Sequence, residues 1–245
     1  MTTTVASTPA MQDAASTTSV EFYFDPACPF CWQTSKWFRQ VARLSDVQPV
    51  WRFISLEILN EDPDDPSATS DGHAVGTQLL RVAAAAKDAL GPDVVGPLYE
   101  AMGNRLWEHA PDFDGLEGKD AKWQAVGAHQ QAVVAELPTI LAEVGLPVEL
   151  AEARDDDRFD KELRASTEEA MERTGGDVGT PILAWGDGDG PAFFGPVIST
   201  TPSDDEALRL WEAVSTLATW PSFAELKRSM RDPIDNELLR SMDAA

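Results

Sequence analysis

The stretch Val20-Glu21-Phe22-Tyr23-Phe24-Asp25-Pro26-Ala27-Cys28-Pro29-Phe30-Cys31-Trp32 decides the fold. It begins as an apolar, aromatic-rich run of the kind that forms a buried strand, and Asp25-Pro26-Ala27 then supplies turn chemistry. Trp37, Val41 and Leu44 follow at helical spacing. Cys28 and Cys31 are the only cysteines in the chain and lie between the turn and the helix. A disulfide closing so short a loop would be a weak staple. Loop-closure arithmetic gives it about 2 kcal/mol, against about 4–5 kcal/mol for a long loop, so a redox-active pair is the better reading.

Outward from this stretch, Val50 to Ser55 reads as a second strand, parallel to the first because a helix joins them. From about 62 to 175 the periodicity is helical, with no strand. Leu98, Met102 and Leu106 mark one helix; Val133, Val134, Leu137, Ile140, Leu141 and Val144 mark another, with Pro138 as a kink or break. Phe159, Leu163 and Ala170 mark a third, ended by Gly175-Gly176. Pro181–Trp185 and Pro191–Phe194 flank a Gly-rich turn and read as a hairpin. Leu208, Trp211, Val214 and Leu217 predict a last strong helix, with a shorter one near Pro221 to Met230. The plan is α/β: a thioredoxin fold with an all-helical subdomain inserted in it. Residues 20–61 and 176–245 make the thioredoxin-like domain, and 62–175 make the insertion. Residues 1–19 are expected to be a disordered tail, lacking the basic and apolar regions of an export signal.

The formal net charge of -23 opposes binding to phosphate backbones or anionic membrane surfaces, so neither nucleic acid nor membrane is an expected partner. No run approaches the roughly 18 apolar residues of a membrane span. A cytoplasmic setting is expected, where a dithiol rests reduced. His73, His109 and His129 are scattered and lack ligand spacing, so no metal is expected. No Gly-rich phosphate loop precedes a helix, so no nucleotide is expected either.

The pair assigns chemistry. Thiolates attack, and a Cys-x-x-Cys site lowers a thiol pKa from about 8.5 to roughly 3.5–7.5. Two units require about 3 kcal/mol, of which a helix dipole supplies at most about 2. First-turn N–H groups and the partner thiol must supply the rest. Cys28, first in the helix and nearer solvent, is the expected nucleophile, and Cys31, one turn inside, the resolving thiol. Phe30 is an apolar wall of the site or ordinary core. Asp25 is a turn former before Pro26 or a proton relay near the sulfur. Gly179-Thr180-Pro181 leads into the third strand; in a thioredoxin architecture a cis proline there faces the cysteines, and Thr180 offers backbone groups to an extended substrate.

Phe24-Asp25-Pro26-Ala27-Cys28-Pro29-Phe30-Cys31-Trp32 resembles the active-site segment of the DsbA-like family that includes the mycothiol-dependent nitroreductases. The resemblance continues in Ser55–Asn60, Leu98–Arg105, Asp177–Pro181, Ala192–Val197 and Phe223–Arg228, most of the chain from about 20 to 230. Phe30 stands where the family often has Trp, and the stretch after Asn60 diverges. The resemblance implies a cytosolic oxidoreductase whose dithiol is recharged by mycothiol and reduces disulfides or nitro-aromatic compounds, with a mycothiol-specific reductase as a further partner and a homodimer as a further expectation. It makes Cys28 and Cys31 catalytic, flanks them with Thr180 and Pro181, and places Asn60 in the substrate cleft. Two other readings share the architecture: a kappa-class glutathione transferase or chromene-carboxylate isomerase, which typically has Ser at the nucleophile position, and a non-catalytic, redox-controlled binding module.

Overall fold

In the computed structural model, residues 18–62, 64, 71–186, 188–229 and 232–244 are described. Most of the expected tail lies outside them. The run at the start of the decisive stretch forms strand β1 (Thr18–Phe24). The Cys pair opens helix α1 (Pro29–Leu44), which returns the chain to strand β2 (Val47–Phe53), parallel to β1 with Phe22 beside Trp51 and Phe24 beside Phe53. β2 starts three residues before the expected strand and stops two before its end. Pro49 lies inside it and is tolerated because β2 is an edge strand. Strand β3 (Ile182–Trp185) pairs antiparallel to the other side of β1, and strand β4 (Ala192–Phe194) pairs with β3. The sheet order is β2-β1-β3-β4. β1 is therefore central and buried from Val20 onward.

Between β2 and β3 the described chain is helical: α2 (Leu56–Leu59), α3 (Asp71–Leu90), α4 (Val95–Trp107), α5 (Lys119–Ala135), α6 (Leu137–Glu143) and α7 (Asp160–Thr174), with 3-10 turns among them. Pro138 sits in the first turn of α6, where its missing N–H costs nothing, so it separates two helices. Gly175 closes α7 in the left-handed conformation. Helix α8 (Asp204–Ala218) opens with a capping box between Ser203 and Glu206. It turns Ala207, Leu210, Trp211, Val214 and Ala218 to the core; Leu208 and Leu217, three-residue steps that drift around a 3.6-residue helix, lie outside this stripe.

The expected helix near Pro221 is absent: the chain from 220 to 229 is a turn and irregular backbone, with Trp220 and Leu226 exposed. So short a segment needs an apolar face packed on something, and here one ring, Phe223 against Phe193 with centres 6.1 Å apart, does not make a face. The last helix is instead α9 (Glu237–Ala244), started by the Asn236 side chain accepting the Leu239 N–H at 2.9 Å and seated by buried Leu238.

Alternation along β1 sorts the core into two sides. Phe22 and Phe24 join the large cluster under α1, α4 and α8, where Phe24 stacks on Tyr99 with ring centres 3.9 Å apart. Tyr23 joins a smaller cluster with Ile54, Ala170, Ile182 and Ala184 under α7.

Candidate active site

The two cysteines occupy the N-terminus of α1, and both are free thiols. Cys28 is the cap of the helix, one position before its expected place, and Pro29 fills the first turn without wasting a donor. The cap geometry turns the sulfur back over the helix start, where it accepts the Cys31 N–H at 3.4 Å. From the segment just before β3, the Thr180 hydroxyl donates to Cys28 Sγ at 3.1 Å. The Thr180-Pro181 peptide is cis. Only 4% of Cys28 and none of Cys31 is exposed, so Cys28 is less solvent-facing than its position suggested.

These contacts separate the two thiols. The Cys31 thiol, donating to Cys28, lowers the Cys28 pKa most; burial opposes it, the Thr180 hydroxyl and Cys31 N–H lower it further, and Asp25 raises it. The net direction is down. Cys31 goes the other way: burial pushes it well above the ordinary thiol range, and its interactions with Cys28 push it further, against hydrogen bonds from Thr180 and the Asp25 backbone. One sulfur favours the anion and the other keeps its proton, the division of labour that dithiol exchange needs.

Asp25 is fully buried directly before the turn. Its Oδ1 accepts the Ala27 N–H at 2.8 Å and its Oδ2 accepts the Leu56 N–H at 2.7 Å. Burial pushes its pKa up to about 7; the N–H groups of Leu56 and Ala27 pull it down and Glu57 pushes it up. Asp25 thus makes the turn, hydrogen-bonds Cys31 through its backbone, and carries a carboxyl that titrates near neutrality and whose charge is felt at Cys28.

Phe30 is partly buried against the large core cluster. Asn60 is exposed at the end of α2, its side-chain amide donating to the Leu56 carbonyl at 2.7 Å. Asn60 therefore connects to the site through α2 and the Leu56–Asp25 hydrogen bond. Contacts from the helices were not apparent in the sequence. The Trp107 indole donates to the Pro26 carbonyl at 2.9 Å, pinning the turn. Glu108 accepts the Trp32 indole N–H and the Lys36 ammonium, each at 2.8 Å. Gly103 makes room for Trp32: a Cβ there would lie 2.2 Å from its ring. The one signal for these was the glycine in Leu98–Arg105, which interrupts an otherwise good helix. A groove of 690 Å³ lined by Ala85, Asp88, Leu150, Arg158, Phe159 and Glu162 among others shares no residue with this site.

Residues 27–228 match the model of the Rv2466c-like family, described as mycothiol-dependent nitroreductase Rv2466c. Rv2286c, an uncharacterised protein of Mycobacterium tuberculosis H37Rv, is 32% identical over 223 residues, 91% of this chain and 86% of its own length. Among solved structures, the cytosolic disulfide reductase DsbM from Pseudomonas aeruginosa with GSH is 15% identical, with 81% of this chain and 100% of that one covered at a TM-score of 0.48. The thiol-disulfide exchange protein alpha-DsbA2 from Wolbachia pipientis is 13% identical, covering 82% and 84%, at a TM-score of 0.45.

Proposed function

The chain belongs to the Rv2466c-like family of mycothiol-dependent nitroreductases, and from that premise we propose that it is a thiol-disulfide oxidoreductase recharged by mycothiol, acting on small disulfides or nitro-aromatic compounds. The observation that carries this reading is the pair of donors on Cys28 Sγ, Thr180 at 3.1 Å and the Cys31 N–H at 3.4 Å, which stabilise a thiolate there, while burial keeps the proton on Cys31.

Cys28 attacks a substrate sulfur, forms a mixed disulfide and expels a thiolate. Cys31 gives its proton to Asp25 and attacks Cys28 Sγ; the second substrate thiolate leaves, and two electrons have passed from the dithiol to the substrate. The same two electrons and two protons suffice to convert a nitro group to a nitroso group and water. A low-molecular-weight thiol supplies the electrons that restore the dithiol. Thr180 and Pro181 hold the substrate beside Cys28, Phe30 gives it an apolar wall, and Asn60 lies at the rim.

Residues 20–61 with 176–245 act as the redox domain and 62–175 as the helical insertion. The setting is the cytoplasm, with a mycothiol-specific reductase as partner, a second copy in a homodimer, and no metal, nucleotide, nucleic acid or membrane. The acidity of the chain supports the last two. No described helix is long and apolar enough to cross a membrane.

The test is to incubate Cys31→Ser with mycothiol disulfide and read the intact mass. One mycothiol on Cys28 is expected. Reduced wild type should also consume one equivalent of a nitro-aromatic probe and be restored by mycothiol. No adduct on Cys28, with both probes untouched by the reduced protein, refutes the reading.

A further inference from the structure

Helix α3 closes over the active-site turn at a position with no side chain. A Cβ on Gly76 would lie 2.4 Å from Asp25 Oδ1, 2.9 Å from Oδ2 and 3.0 Å from Cγ. A real Cβ cannot stand there, so any other residue must displace the carboxyl group or the helix. Glycine in a helix interior costs about 0.5–1 kcal/mol relative to Ala. Two turns further on, α3 takes the opposite choice, with Ala83, Ala84, Ala85 and Ala86 in a row. Close approach, not helix propensity, explains Gly76.

The seat is braced on the same helical turn. Thr77 and Ser55 share a hydrogen bond at 3.1 Å, and the Ser55 N–H is held by Thr167 at 3.0 Å. Ser55 precedes Leu56, whose N–H holds Asp25 Oδ2. The carboxyl is thus fixed by a donor on each oxygen, with the α3 backbone across it.

We propose that Gly76 is a positioning residue of the redox site, letting the α3 backbone shut water away from Asp25 and hold its carboxyl on the proton path of Cys31. This rests on the reading of Asp25 as the proton acceptor in the resolving step, and it assigns the setting of that acceptor to the helices between β2 and β3. The Cys31 proton passes to the Asp25 carboxylate as the Cys31–Cys28 bond forms, the bond from Cys28 to the substrate sulfur breaks, and the leaving thiolate takes a proton from solvent. The titratable groups around Asp25 are Cys28 and Cys31 on α1 and Glu57 on α2; α3 presents the Gly76 backbone, with His73 one turn earlier.

The experiment is stopped-flow oxidation of the reduced protein by hydroxyethyl disulfide, following the resolving step from pH 5 to 9 in wild type, Gly76→Ala, Asp25→Asn and the double variant. Gly76→Ala should move the acid limb of the resolving rate down by about one pH unit or more and lower its plateau at least about fivefold, because water reaches the carboxyl. Asp25→Asn should lack that limb, and adding Gly76→Ala to it should change the profile no further. A folded Gly76→Ala with the wild-type profile, whatever its melting temperature, overturns the inference while leaving the reading of Asp25 intact. An unchanged acid limb in Asp25→Asn refutes that reading itself. Should Gly76→Ala fail to fold, Asp25→Ala with Gly76→Ala must restore folded protein, since the three atoms nearest the new Cβ all belong to the carboxyl; failure of that pair also overturns the inference.

Discussion

Two buried acids on the same strand and its turn meet opposite fates. Glu21 faces α7, where it pairs with Arg173 and lies 3.6 Å from Arg52; these arginines also reach Glu169, and Tyr23 donates to Glu169 at 3.0 Å. Asp25, four residues on, has no cation within ion-pair distance among the described residues, only two backbone N–H groups. Burial with compensating charge makes a brace; burial without it makes a group that takes up and gives up a proton near neutral pH. Tyr23 shows the same physics in the brace, its phenol pushed up to about 12, chiefly by burial, and kept as a donor. Substitutions should therefore separate the two faces: one loses chemistry, the other stability.

The largest effect should fall on the sulfur side. Cys28→Ser is expected to cut turnover at least about a thousandfold while the denaturant midpoint barely moves, because a hydroxyl fits the cap and cannot exchange disulfides. A comparable loss of stability would mean that the sulfur is structural.

Asp25 comes next. Its pKa is raised on folding, from an ordinary 3.8 to about 7, so the native state binds more protons over that range and stability falls as pH rises through it. Between pH 5 and 8 this group alone removes about 3 kcal/mol. Asp25→Asn should flatten that slope in urea titrations. Its net gain at pH 8 should be smaller, because the amide NH2 confronts one of the two N–H donors, at a cost of about 1–3 kcal/mol. If wild type and Asp25→Asn lose stability equally from pH 5 to 8, the contrast with Glu21 collapses.

On the other face, Glu21→Gln should cost about 2–3 kcal/mol, less than the 3–5 of a fully orphaned buried charge, because Arg173 keeps Glu169 within 3.7 Å. Specific activity of the folded fraction should stay within about twofold. A selective loss of activity would tie the brace to the chemistry.

The smallest effect is a single hydroxyl. Thr180→Val removes the donor at 3.1 Å from Cys28 Sγ, so the Cys28 pKa should rise by about one unit, as expected for losing a hydrogen bond to an anion. The pH profile of iodoacetamide alkylation reads this directly. No displacement would assign the thiolate's stabilisation to Cys31 alone.

The difference between the faces also marks what the sequence could disclose. Strand, turn, Cys pair and helix are contiguous, and the Pro181 strand carries its own turn chemistry, so the sheet and the meeting of Thr180 with Cys28 follow from local signals and one known architecture. The state of Asp25 does not, because it depends on Gly76 and Leu56, whose approach no local pattern encodes. Trp107 and Glu108 were hidden for the same reason. The helix expected near Pro221 does not form, since Phe223 alone packs inward, on Phe193. Asp235-Asn236-Glu237, a cap followed by Leu238 and Leu239, is the stronger helix signal in this part of the chain.

The central position of β1 has a consequence for biosynthesis. Phe22 lies between Trp51, made soon after it, and Leu183, made much later. At about 5–20 residues per second, the β3 side of β1 waits roughly 10–30 s on the ribosome for its partner. Through that interval a strand of Val, Phe and Tyr presents an unpaired edge, open to mispairing with neighbouring nascent chains. Thr180 is still unmade as well, so Cys28 lacks the hydroxyl that tunes it in the finished fold. Full thiol reactivity is thus deferred until the strand that protects the edge has arrived.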